Sequence, residues 1–424
     1  MAHREYRFYV SGHVVHVMGW WGNRIGLGWL AWELTRSPSF LGIIAFASLI
    51  PVMVIGPFAG ALADRYGHRR VALRSGTGLF LTTFAIGAIA LAGHMTAPLL
   101  VALTLLQGLF FGIDFPARQS LIPQLVDRAS ISAAVAFNAS SFHLGAFIGP
   151  LIAGLLITRI GSGASILMSA CTSAWMLTMI WLIRRDPVRP REPGAPGILA
   201  DLVEGFRYVG RTPSLLFLLS LSFAGGLLIR PFHDLLPGFA DTVFGRGAEG
   251  LATLNAAAGL GALIGALFLL VRGRTEGLTR IMLTGAFAAG SALLLFTLTE
   301  RFWLAAGFIF LVSLSLLSVQ VGSNSLLQTI ARPDMRGRTI SMSSSVSVGG
   351  PALGALIMGF LADRFGLQTV LGLSAVAGIA IYIVLAPALL RHRKSMEHDH
   401  HRRIDVAPAR ALSDQVGSYP AAAK

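Results

Sequence analysis

Cysteine is almost absent from this chain of 424 residues: Cys171 stands alone, so neither an intrachain disulfide framework nor a thiolate metal site can form. It lies in an apolar run and is expected to pack there. Charge is scarce too, at 13% of residues, where a soluble domain carries about a quarter. Acidic residues number only 20 against 34 lysines and arginines, a net charge of +14. No Walker loop, nucleophile elbow or zinc-enzyme pattern occurs, and no long polar stretch could house an ATPase domain. An enzyme is therefore not expected, nor a cofactor, nor a metal centre. What the chain has in abundance is apolar sequence, 54% of residues, with a mean hydropathy of +0.68. Such a chain is a polytopic membrane protein whose partner is the lipid bilayer.

About 20 apolar residues cross a bilayer core, and on that ruler twelve spans are expected. They fall near residues 12–34, 40–62, 72–93, 97–118, 131–157, 163–183, 214–238, 250–271, 281–299, 302–328, 340–361 and 368–390. His3, Arg4 and Arg7 precede the first run without a small-residue cleavage site, so it reads as a retained helix and not as a signal peptide. Most cations sit at alternate span ends: Arg65 to Arg74, Arg128, Arg184 to Arg191, Arg272 to Arg280, Arg332 to Arg338, and Arg391 to Lys394. That is the distribution of the positive-inside rule and not of a nucleic-acid surface. It is expected to place both termini in the cytoplasm.

Between the second and third spans runs Gly60-Ala-Leu-Ala-Asp64-Arg65-Tyr-Gly67-His68-Arg69-Arg70. Glycines at both ends allow close approach and a turn, Asp64 suits a helix N-terminus, and the arginines hold the loop on the cytoplasmic side. The run resembles the loop signature of the major facilitator superfamily, with His68 where that family usually has a permanent cation. The resemblance implies an all-α membrane fold, twelve helices in two pseudo-symmetric six-helix bundles. It also makes this loop a cytoplasmic gate, with Asp64 latched at the N-terminal end of the eleventh span near Arg338 to Ser345.

Internal repetition is consistent with two halves. Gly154-Leu-Leu-Ile-Thr-Arg159-Ile-Gly161 matches Gly359-Phe-Leu-Ala-Asp-Arg364-Phe-Gly366 at an offset of 205 residues, and the same offset relates Gly145 to Gly350 and Gly149 to Gly354. Gly359 to Gly366 reads like a second gating loop, yet it follows the eleventh span and so is expected outside. The expected organisation is an N-terminal half over 1–185, a cytoplasmic linker with an amphipathic helix over 186–213, a C-terminal half over 214–391, and a disordered tail over 392–424. In the linker, Leu199, Leu202, Val203 and Phe206 recur at helical spacing, and a plain tether is the alternative.

In the fifth span Gly145, Gly149, Pro150 and Gly154 resemble the Gly-Pro motif of the superfamily's antiporters, which seals the cavity against the other half; ordinary small-residue packing is the alternative. The fourth span carries Asp114-Phe-Pro-Ala-Arg118-Gln, similar to the exporter branch with enterobactin and macrolide efflux proteins, and Asp114 is expected to meet His68 or Arg69. The fourth-span Arg-x-x-x-x-Gly of many proton-coupled members is missing, since Leu103 precedes Gly108.

Ionisable residues inside a span are functional candidates because each costs about 2.5–3.5 kcal/mol near a helix centre. Asn23 and Arg24 in the first span, Asp114 and Arg118 in the fourth, and Arg230, His233 and Asp234 in the seventh qualify as coupling or substrate residues. Arg230 and Asp234 are expected to pair at helical i, i+4 spacing, either to couple transport or as a structural interface pair. His398 to His401 in the tail is expected to be solvated. The resemblance implies a monomeric secondary transporter exporting a small amphipathic compound, drug-like or siderophore-like, by alternating access, with proton antiport as one coupling mode. An importer or facilitator of the same fold, and a non-transporting scaffold or sensor, stay open.

Overall fold

The computed structural model describes residues 2–127, 130–184, 204, 207–272, 276–332 and 335–397. The linker Asp186 to Gly197, most of the amphipathic stretch after it, Arg128, the tail beyond 397 and the side chains of Asp64 and Arg336 lie outside the described residues.

Helices account for nearly all of the described chain: α1 (Ala2–Thr35), α2 (Pro38–Tyr66), α3 (His68–Leu91), α4 (Ala97–Leu125), α5 (Ile131–Arg159), α6 (Ser162–Leu182), α7 (Pro213–Leu228), α8 (Phe232–Gly238) with a π-helical turn (Phe239–Val243), α9 (Gly247–Arg272), α10 (Leu278–Leu298), α11 (Phe302–Ile330), α12 (Arg336–Phe365) and α13 (Leu367–Glu397). Among the described residues eleven segments are long and apolar enough to cross a membrane, with α7 to the π-turn counting as one. The twelfth, α1, falls short by composition because Asn23, Arg24 and two histidines interrupt it. It is nevertheless packed against α5 and α6 along its length.

Local chemistry sets the connections. Pro38 occupies the first turn of α2, where its missing N–H is no loss, and the Ser37 hydroxyl accepts from the Phe40 N–H at 3.4 Å. Gly67 joins α2 to α3 in a single residue at φ 90°, and Gly366 joins α12 to α13 at φ 82°, a region that favours glycine. The two reversals stand at opposite ends of the molecule, since Gly359 lies against Pro38 and Ser39 at the far end of α2 from Gly67. These ends are called here the Gly67 end and the Ser37 end.

The seventh span departs from expectation. It is not one helix: the chain leaves α7 at Leu228, turns through Ile229, Arg230 and Pro231, and resumes as α8. Pro231 lacks the N–H that would continue the ladder, and its ring seats where a Cβ on Gly354 would go. Cys171 also departs, since it is exposed on the outer face of α6 and not packed.

Helices α1 to α6 pack among themselves, as do α7 to α13, and the halves meet mainly through α2 with α12 and α5 with α9. The meeting is lopsided. One hydrophobic core runs continuously across both halves at the Ser37 end, joining Trp32, Leu41 and Ile44 to Phe232, Phe239 and Leu251. At the Gly67 end the N-terminal half keeps a separate core around Tyr9, Ala63, Val71 and Leu121. Along α2, a Cβ on Gly42 would strike the Ala355 carbonyl and Gly349 sits by Met53, but Gly56 and Gly60 face open space. Val54, Phe58 and Leu62 are correspondingly exposed.

Candidate functional site

Between the halves lies a cavity of about 1030 Å³, counting the part open to solvent, lined by α1, α2, α3, α4, α6, α8 and α9. Its walls are apolar at Leu41, Ile44, Leu79 and Leu251, and aromatic at Trp20 and Phe111, whose rings stack at 5.8 Å. A smaller chamber continues towards the Gly67 end past Tyr9, His13, Phe115 and Arg118.

Polar groups converge on one level of this cavity. The Arg24 guanidinium donates to Asp234 at 2.8 Å, an ion pair that crosses from one half to the other. Asn23 donates to Gln107 at 3.4 Å, and Gln107 donates to Thr83 at 2.7 Å, tying α1, α4 and α3 together. His233 stacks on Phe232 with centroids 4.1 Å apart. The second oxygen of Asp234, the ring Nδ1 of His233 and the side-chain carbonyl of Asn23 are buried without a hydrogen-bond partner among the described residues.

The expected i, i+4 pair of Arg230 with Asp234 is not formed. The turn at residues 229–231 breaks the helical register between them, and Asp234 turns to Arg24 instead. Asp114 likewise pairs within its own helix, with Arg118 at 2.6 Å and both side chains buried. It does not pair with His68 or Arg69: the Arg69 guanidinium donates to the carbonyls of Ile180 and Trp181.

Of the gating loop, Gly67 makes the turn, His68 is buried at the start of α3, and Arg65 and Arg70 are exposed. The fifth-helix motif spans two interfaces. Gly145 and Gly149 let α5 close on Val17, Met18 and Trp21 of α1, while Gly154 faces Ala252 of α9 in the other half. Pro150 is buried between them inside the helix.

At the Ser37 end two carboxylates from the C-terminal half grip the connection between α1 and α2. Asp241 accepts from the Trp32 indole at 2.9 Å and pairs with Arg36, the one non-glycine residue of the described chain with positive φ. Asp363 accepts from the Ser37 hydroxyl at 3.2 Å and from the Ser39 N–H at 3.4 Å, at the positive N-terminal end of α2. Sequence reasoning missed Asp241, Asp363, Gln107 and Asn255. Polar Gln107 and Asn255 within apolar runs were the available signal for the cavity.

Comparison with known proteins agrees with this geometry. The family described as transmembrane secretion effector matches residues 1–418. The multidrug efflux pump Tap of Mycolicibacterium fortuitum is 28% identical over 363 residues, covering 82% of this chain and 87% of the pump. The staphyloferrin A transporter of Staphylococcus aureus is 24% identical, covering 93% of this chain and 99% of its own length. The enterobactin exporter EntS of Escherichia coli is 29% identical, covering 83% and 82%. Among solved structures, a bacterial homologue of the human lysosomal transporter Spinster superposes with a TM-score of 0.74 at 14% identity, covering 93% of this chain and 99% of its own. The nucleoside transporter NupG gives 0.73 at 13%, covering 91% and 99%. At such identities the solved structures speak to the fold alone.

Proposed function

Because this chain belongs to the transmembrane secretion effector family of the major facilitator type, a family of membrane transporters and not of enzymes, we propose that it exports a small amphipathic compound. It does so as a monomer in the bacterial inner membrane, with both termini in the cytoplasm. The halves, residues 1–185 and 214–391, rock about the cavity between them, so that access alternates between the two membrane faces.

The observation that carries this reading is the lopsided junction. The halves are joined by the core and by Asp241 and Asp363 at the Ser37 end, and they part at the Gly67 end. With the cation-rich Gly67 end in the cytoplasm, the present arrangement is open to the cell interior, ready to load cargo for export. In the reverse arrangement Asp64 latches at the N-terminus of α12 and the Asp363 contact with α2 is released. A carboxylate at a helix end contributes about 0.3–1 kcal/mol, enough to bias two arrangements of similar energy.

Arg24 with Asp234 is the coupling element, because it is an ion pair between the halves at the level of the cavity. Protonation of Asp234 removes the charge that holds Arg24 and frees the halves to move. His233 and Asn255 stand beside it, and Arg230 lies one turn before it. Proton antiport follows if that protonation is exchanged for cargo. The test is transport in proteoliposomes with and without an imposed pH gradient, on the native protein and on Asp234→Asn. Gradient-driven accumulation is expected for the native protein only. Equal accumulation by a folded Asp234→Asn protein would remove Asp234 as the proton site, and accumulation in the opposite direction would make the protein an importer.

A further inference from the structure

Away from the helix ends, the spans of this chain hold three arginines, Arg24, Arg118 and Arg230, and two aspartates, Asp114 and Asp234. Arg118 pairs with Asp114 and Arg24 with Asp234. Arg230 makes no side-chain hydrogen bond and no ion pair within 4.0 Å among the described residues; it feels Arg24 and Asp234 only at longer range, so two guanidinium groups share one carboxylate. A guanidinium inside a membrane bundle cannot lose its charge readily and is costly without a counter-ion. Resting on the export reading, we infer that the cargo supplies the second negative charge, and that the transported compound is an amphipathic anion whose acidic group is received by Arg24 in the cavity wall, with the charge of Arg230 nearby.

The surroundings exclude the opposite charge. Among the described residues Asp234 is the one carboxylate lining the cavity, and it already holds Arg24. The nearest carboxylates towards the Ser37 end are committed elsewhere: Glu33 accepts from the Trp29 indole and the Ser162 hydroxyl, and Asp241 from Trp32. A cationic compound would therefore meet net positive charge with no free acid to pair with. An anion meets the Arg24 guanidinium in the cavity wall, reinforced by the nearby charge of Arg230, and only one competitor. When the acidic group takes Arg24, it displaces Asp234, whose second oxygen already lacks a donor; binding and release of the inter-half pair are thus one event. The Trp20 and Phe111 rings and the aliphatic wall formed by Leu41 and Ile44 take the apolar body. Cargo charge and cargo body are recognised by different side chains, so the anion requirement is separable from the hydrophobic fit.

The test uses a matched pair of probes, 2-naphthoate and 2-naphthylmethylammonium, which share a ring system and differ in charge. Binding is measured by calorimetry on the full-length protein in phosphatidylcholine nanodiscs, with empty nanodiscs subtracted. Naphthoate is expected to bind roughly tenfold more tightly or better, a ratio set by complementary against like charge at the site. Arg230→Gln should lose about that factor, Arg230→Lys should keep most of it, and Asp234→Asn should strengthen naphthoate by removing its competitor. The strengthening by Asp234→Asn is a gain that a misfolded variant cannot produce. Equal binding of the two probes, a preference for the ammonium, no binding of naphthoate, or unchanged naphthoate affinity in a monodisperse Arg230→Gln protein would each overturn the inference. Exchange of labelled naphthoate across proteoliposomes reads the export proposal separately: preferential binding without exchange sinks export and leaves the anion site standing.

Discussion

Replacing Asp241 by alanine removes both contacts by which the π-helical turn after α8 holds the α1–α2 connection. The Trp32 indole is 1% exposed, so its N–H would be left in a dry environment without an acceptor, at a cost of about 1–3 kcal/mol. The Arg36 partner is worth less. Its side chain is 58% exposed and that of Asp241 26%, and a pair so screened contributes roughly 0.2–1 kcal/mol. In the proposed cycle both contacts join the halves only while the Ser37 end is shut. Their loss therefore falls on that arrangement, and a net change of about 2 kcal/mol moves the equilibrium roughly 30-fold towards the reverse one. Because Cys171 is the sole cysteine, Cys171→Ser gives a background without thiols. Spin labels at positions 62 and 340, where Leu62 and Ile340 are both exposed at the Gly67 end, then report the gap by pulsed dipolar spectroscopy. Asp241→Ala should transfer population from the long distance to a shorter one. A distance distribution identical to that of the parent, with the variant folded, would show that Asp241 does not hold the Ser37 end shut.

Two further outcomes follow from the packing and from one helix cap. A Cβ on Gly259 would collide with the Ala146 carbonyl and lie 2.8 Å from the Phe147 Cα, so Gly259→Val should wedge α5 from α9, lower the melting temperature through about 1–3 kcal/mol of overpacking and abolish transport; an unchanged melting temperature would refute the tight α5–α9 contact. Beyond the last span, Glu397 accepts from the backbone N–H groups of Gly277 at 2.8 Å and Thr279 at 3.0 Å. Although partial burial opposes ionisation, these donors hold its carboxyl below the usual range. A carboxyl depressed in the folded state stabilises above its unfolded value, roughly pH 4.3, and that stability is lost as pH falls through the folded value. Glu397→Gln should accordingly melt lower than the native protein at pH 7 by about 0.3–1 kcal/mol equivalent, with the gap closing in acid; a gap independent of pH would contradict the cap.

Much of the architecture was legible because its causes are local. Span length follows from apolar runs, and the one-residue reversal at Gly67 from a glycine that tolerates φ 90°. The 205-residue repeat is echoed in Gly161 and Gly366, which both reverse the chain at positive φ. The cavity residues Asn23, Arg24, His233 and Asp234 could be picked out because polar groups in apolar spans need a reason to be there. Their partners could not. The i, i+4 rule pairs Arg230 with Asp234 only on an unbroken helix, and the turn at Pro231 together with an arginine two hundred residues away overrides it. In sequence Asp363 belongs to the Gly359–Gly366 look-alike of the gating loop. Its position at the N-terminus of α2 depends on which helix ends the two halves bring together, and no local pattern reports that. The exposure of Cys171 has the same origin, since an apolar helix facing lipid and one facing protein read alike in sequence.

Alternating access is tested most directly at Ser48, a small residue lining the cavity whose hydroxyl bonds only to its own helix at Ala45. With cysteine at position 48 in the Cys171→Ser background, a membrane-impermeant maleimide should label the protein in inside-out vesicles and leave it unlabelled in right-side-out ones. Adding Asp241→Ala with Asp363→Ala should reverse the two results. Labelling from both faces at once, or from neither in both backgrounds, would contradict a single cavity that opens to one side at a time.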